Sequence, residues 1–84
     1  MYALVITKRK ETDVQIELYQ SRQDLENRMI MRYNNYLKKA KEIDWRYTFF
    51  DNEKWYGSID DFDDRIEYRC CEVTQTDNST LNVY

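Results

Sequence analysis

At 84 residues with a net charge of −3, the chain is sized for one small domain, which buries only about 60% of its unfolded surface. Hydrophobic residues make up 42% and aromatic residues 15%, and rings that each bury roughly 150–250 Å² let a thin core close, while apolar positions that recur with clear periods exclude disorder despite 35% charged residues. No window nears the ~18 apolar residues of a membrane span, and no export signal opens the chain, so insertion and export are not expected.

From Tyr2 to Lys8 the chain is β-branched and apolar, and after the charged stretch Arg9 to Asp13 the residues Val14, Ile16 and Leu18 alternate with Gln15, Glu17 and Tyr19. This pattern predicts a β-hairpin whose second strand turns Val14, Ile16 and Leu18 toward a covering helix. Ser21 stands three residues before Asp24, as in a capping box, and predicts a helix from Arg22 to Ile43. At 100° per residue, Leu25, Met29, Tyr33, Tyr36, Leu37, Ala40 and Ile43 fall within an arc of about 120°, the stripe of a helix lying on a sheet.

After Asp44, Trp45, Tyr47 and Phe49 share one face of a period-two run, Asp51-Asn52-Glu53 forms a polar turn, and Trp55-Tyr56 opens a second aromatic strand. Gly57-Ser58 is expected to break that strand, and Ser58 with Asp61 repeats the capping pattern, predicting a short helical turn from Ile59 to Asp64. Ile66, Tyr68 and Cys70 then alternate with Glu67, Arg69 and Cys71 in a strand over residues 65–74, with Cys70 in the core and Cys71 outward. Residues 76–80 read as a polar turn, and residues 81–84 as a short edge strand or a free tail. The expected fold is α+β: an antiparallel sheet of about four to five strands with one long helix on a face, in the order β-β-α-β-β-(short α)-β over a single domain.

Catalytic chemistry finds few of its usual groups here. There is no histidine, which removes Ser-His and Cys-His pairs and histidine metal sites, and the single glycine, Gly57, cannot build a phosphate-cradling loop. Cys70 and Cys71 are adjacent and the only cysteines, so a disulfide framework is excluded and a reducing, cytoplasmic location fits. Asp60, Asp61, Asp63 and Asp64 offer oxygen ligands but lack the EF-hand spacing and its glycine. No enzyme activity, cofactor or metal is expected.

Charge divides unevenly along the chain. Residues 1–42 carry nine Lys/Arg against six Asp/Glu, a net of +3, whereas residues 43–84 carry four against ten, a net of −6. The leading expectation is a small regulator or inhibitor of the phage or mobile-element kind, which binds a protein through an acidic, aromatic surface. That surface comprises Asp51, Glu53, Trp55, Tyr56, Asp60, Asp61, Asp63, Asp64 and Glu67, and it would mimic nucleic acid in the basic groove of a nucleic-acid enzyme or effector. The alternative is a nucleic-acid module using a basic helix ridge, Arg28, Arg32, Asn35 and Lys39, on the side of the helix away from the core; a pI near 4.9 counts against it. A third reading is self-association as a homodimer, through Met31 on the helix or the residues 81–84 tail.

Overall fold

A computed structural model describes residues 1–75 and 81–83, with side chains described through Val73. The elements are β1 (Tyr2–Lys8), β2 (Gln15–Tyr19), α1 (Arg22–Lys39), β3 (Phe49–Asp51), β4 (Tyr56–Asp60), β5 (Arg65–Gln75) and β6 (Leu81–Val83). Five strands lie in the order β2-β1-β5-β4-β3, every neighbouring pair antiparallel, and β6 pairs with the far end of β5. The molecule is α+β, with one helix packed against an antiparallel sheet, as the sequence patterns indicate. The expected turn at 76–80 and residue 84 lie outside the described residues.

The core forms where apolar positions of three strands meet the helix stripe. Leu4 and Ile6 of β1, Ile59 of β4 and Ile66 and Tyr68 of β5 pack against Leu25, Met29 and Tyr33 of α1, and Leu4, Leu25, Met29 and Ile59 have no exposed surface. Cys70 packs on the edge of this cluster. The helix starts as its cap predicts: the Asp24 amide donates to the Ser21 hydroxyl at 3.2 Å. It ends at Lys39, not Ile43, where the Ala40 amide donates to the Tyr36 carbonyl and the Ala40 backbone turns extended. Leu25, Met29 and Tyr33 are buried and Tyr36 and Leu37 partly so, but Ala40 and Ile43 lie beyond the helix.

Three expectations are corrected. First, Val14, Ile16 and Leu18 do not face the helix. The hairpin register pairs Leu4 with Glu17 and Val5 with Ile16, which places Glu17 and Tyr19 on the helix side and the three aliphatic residues on the opposite face. Alternation separates two faces without saying which is covered, because the register of β1 decides it. Glu17 is tolerated there because Arg32 reaches from the helix to pair with it and the Tyr19 hydroxyl donates to it.

Second, residues 56–60 form a strand, with no helical turn at Ile59 to Asp64. Gly57 continues that strand, its bare Cα lying under Phe50 and Tyr33, and Ser58 is buried with its hydroxyl accepting from Arg65 Nε at 2.9 Å. A serine three residues before an acid signals a cap only where the backbone groups are free, and here β3 and β5 pair with them.

Third, the strand after the helix begins at Phe49 and leaves Trp45 67% exposed. Asp44 prevents an earlier start: its amide donates to the Asp60 carbonyl at 2.7 Å, and its carboxylate gathers the Arg46 amide and guanidinium into a turn. Those same bonds hold the Asp44 carboxyl below the usual aspartate range.

Candidate functional site

The helix covers one face of the sheet and leaves the other open. By register, the open face carries Ala3 and Val5 from β1, Ile16 and Leu18 from β2, Glu67, Arg69 and Cys71 from β5, Tyr56 and Ser58 from β4 and Phe49 from β3. Its β2 side is aliphatic: Val14 is 51% exposed, Ile16 and Leu18 each 47%. A shallow depression of about 590 Å³ runs from Val14 and Ile16 past Val5 and Cys71 to Trp55, Tyr56 and Arg69.

The other half of this face is a set of arginines stacked on aromatic rings. The Arg69 guanidinium lies 5.1 Å above the centre of Tyr56, Arg46 and Arg65 lie 5.5 and 5.6 Å from the centre of Tyr47, and Phe49 packs against Tyr56 at 5.5 Å. Glu67 sits between Arg65 and Arg69 at 3.5 and 3.0 Å, and despite the burial that works against it, the bond from Arg69 and both positive charges lower its pKa. Lys54 also borders the depression. Arg65 and Arg69 therefore flank one carboxylate, and the depression itself is lined by Lys54 and Arg69 with no acidic side chain among the described residues, on a protein that is acidic as a whole.

The acidic candidates do not form one surface. Asp51 and Glu53 lie at the β3–β4 turn, where the Asp51 carboxylate accepts from the Glu53 and Lys54 amides. Asp60, Asp61, Asp63 and Asp64 lie at the opposite end of β4, about 14 Å or more away at ~3.4 Å per residue. Glu67 and Tyr56 lie on the open face, and Trp55 packs edge-on against Phe50 at 5.8 Å.

Most carboxylates of the Asp60–Asp64 loop are bonded inward. Asp60 is buried, accepting from the Phe62 amide with Arg9 3.6 Å away; Asp61 accepts from the Asp63 and Asp64 amides and the Tyr36 hydroxyl; Asp64 accepts from the Lys10 and Arg65 amides. The amide bonds hold the Asp61 pKa below the usual range despite some desolvation, while burial and the bond to Asp61 push Tyr36 up to about 12. Asp63 alone of the four projects into solvent, its side chain 84% exposed, and there it pairs with Lys10 at 2.6 Å.

The helix candidates lie along one flank of α1, not on the side away from the sheet. Arg32, Asn35 and Lys39 border a groove against β1 and β2, and Arg28 lies one turn back beside Tyr19 and Met31. Their angular positions abut the apolar stripe, which brings them to the sheet's rim. Met31 is 43% exposed. Alternation left open whether Tyr47 and Phe49 were core or contact surface, and gave no signal for the open-face residues Arg65 and Arg69. Sequence reasoning also missed Lys8, Gln15, Tyr36 and Tyr68 of the groove, for which the spacing gave no signal.

Among the described residues, no group of three or more Cys, Asp or Glu is placed to hold a metal ion, and no helix is long and apolar enough to cross a membrane. The chain thus belongs to the architectural class of helix-covered antiparallel sheets with one uncovered face. Comparison with models of known protein families, with curated proteins and with solved structures finds no match.

Proposed function

We propose that this chain is a non-catalytic protein-binding domain, a regulator or inhibitor that docks on its partner through the open face of the sheet. The observation that carries the reading is the row Val14, Ile16 and Leu18, aligned on the uncovered side and each about half exposed. Three aliphatic side chains in register, continuing onto Val5 and Cys71, form a contiguous patch of the kind that marks contact surfaces. Beside them stand Tyr56, Tyr47, Arg65 and Arg69, residue types that dominate interface energetics and are already held in place by stacking.

The charge of the rim selects the occupant. With Lys54 and Arg69 lining the depression and Arg65 beside it on Glu67, the complementary surface is apolar at its centre and bordered by carboxylates. A second copy presenting the same face brings arginine toward arginine, so a different protein suits it better. An aliphatic row offers nothing to a phosphate backbone, which favours protein over nucleic acid despite the aromatic rings. The unbridged thiols Cys70 and Cys71 support a reducing compartment such as the cytoplasm as the site of action.

A basic partner docked on the acidic residues is the weaker reading, because Asp60, Asp61 and Asp64 spend their carboxylates within the loop. Ile16→Lys with Leu18→Lys places two charges on the patch and leaves the helix-side core untouched. It is expected to abolish partner binding while circular dichroism and Tm stay near wild type, whereas Asp63→Lys is expected to leave binding unchanged. Loss of binding with Asp63→Lys alone overturns the assignment of the face.

A further inference from the structure

A separate feature lies on the covered side, where the flank of α1 stands off from the β1–β2 rim and leaves a groove of about 270 Å³. Its apolar floor is Ile6 and Ile66, and three cationic side chains, Lys8, Arg32 and Lys39, come to it from two elements. Lys8 reaches a carboxylate only at 3.7 Å, in a largely exposed pair with Glu11, and Lys39 forms no ion pair among the described residues. Exposed pairs of that kind contribute little and exchange readily.

One polar group beside this groove lacks the partner that buried groups ordinarily have. Arg32 uses one end of its guanidinium on Glu17, but its Nε is buried without a hydrogen-bond acceptor. Tyr68 also lines the groove, and its hydroxyl makes no hydrogen bond among the described residues, which leaves it open to a ligand there. Buried polar groups in folded proteins are satisfied in the great majority of cases, by protein, water or a bound ligand. The Arg32 guanidinium and the Tyr68 hydroxyl are both donors, and with the two lysines they line one space, a set that suits a compact acceptor with several oxygens.

We propose that this groove is a binding site for a small phosphate monoester, with the phosphate held by Lys8, Lys39 and Arg32, the Tyr68 hydroxyl donating to it, and a short apolar body resting on Ile6 and Ile66. Phosphate suits the set because it offers three acceptor oxygens and up to two negative charges, and guanidinium and ammonium groups form their strongest hydrogen bonds to it. Size limits the body. Ligand pockets usually hold about 300–1,000 Å³, so this groove takes a phosphate with one ring or a short chain and excludes a dinucleotide. Burial pushes the Tyr68 hydroxyl up to about 12, so it keeps its proton and remains a donor at neutral pH.

The test is titration of the full chain with phenyl phosphate, followed by amide NMR, beside a single-stranded oligonucleotide as the other source of phosphate. Saturable binding with Kd at or below about 1 mM is expected, with shifts centred on Lys8, Arg32, Lys39 and Tyr68. Lys8→Met with Lys39→Met, both on the rim, is expected to weaken it about tenfold or more with Tm unchanged. Tyr68→Phe, which removes only the hydroxyl, is expected to weaken it several-fold. The proposal is overturned if phenyl phosphate gives no saturable shifts up to about 10 mM, if the shifts fall elsewhere, or if the lysine variant binds as wild type. It is also overturned if only the oligonucleotide binds, with a steep salt dependence and loss on Arg28→Glu, because a strand then follows the helix flank.

Discussion

Gly57 shows how one side chain's absence shapes the core. A Cβ built there meets ring carbons of Phe50 and Tyr33 at 3.0 Å each, and the strand cannot move away because β3 and β5 pair with it on both sides. Gly57→Ala is therefore expected to destabilise by about 1–3 kcal/mol, the usual cost of overpacking, and urea unfolding measures it. The Tyr36–Asp61 hydrogen bond at 2.9 Å carries a pH signature. Asp61 has a folded pKa below its ordinary 3.8, so its contribution is present above that value and is lost as the pH falls through the lowered one. Tyr36 has a raised pKa, so its contribution is present below pH 10 and is lost as the pH rises through about 12. Tyr36→Phe is expected to cost about 1–2 kcal/mol at neutral pH. The difference from wild type should narrow below the ordinary aspartate pKa. A difference that stays constant into strong acid would show that the bond contributes little.

At the scale of elements, the patterns that survive are those set by local chemistry. The Ser21 cap and the stripe Leu25, Met29, Tyr33 were legible because both depend on residues within a few positions of one another. Ser21→Ala is expected to lower stability by about 1 kcal/mol, seen as a lower Tm, and a change no larger than scatter would mean that packing alone sets the helix start. The failures share one cause: they were decided by residues far away in sequence. Which face of β2 is covered depends on its register with β1, Gly57-Ser58 is a strand because β5 lies beside it, and Trp45 is exposed because Asp44 bonds to Asp60. The basic flank of α1 was visible residue by residue, but the groove it completes needed Lys8 and Tyr68 from two other strands.

For the whole molecule, charge asymmetry along the sequence does not translate into charge asymmetry across the surface. The acidic second half folds so that Asp60, Asp61, Asp64 and Glu67 are engaged by amides and by cations, some from the basic first half, with Arg9 and Lys10 reaching the β4–β5 loop. Beyond these pairs stands a sheet with one helix on one side and an aliphatic, arginine-edged face on the other. The most direct measurement of the proposed role is affinity capture from nuclease-treated lysate with three baits in parallel: wild type, Ile16→Lys with Leu18→Lys, and Asp63→Lys. The same protein is expected on the wild-type and Asp63→Lys baits, and none of it on the sheet-face variant. Retention of that protein by a folded sheet-face variant would contradict the proposed role.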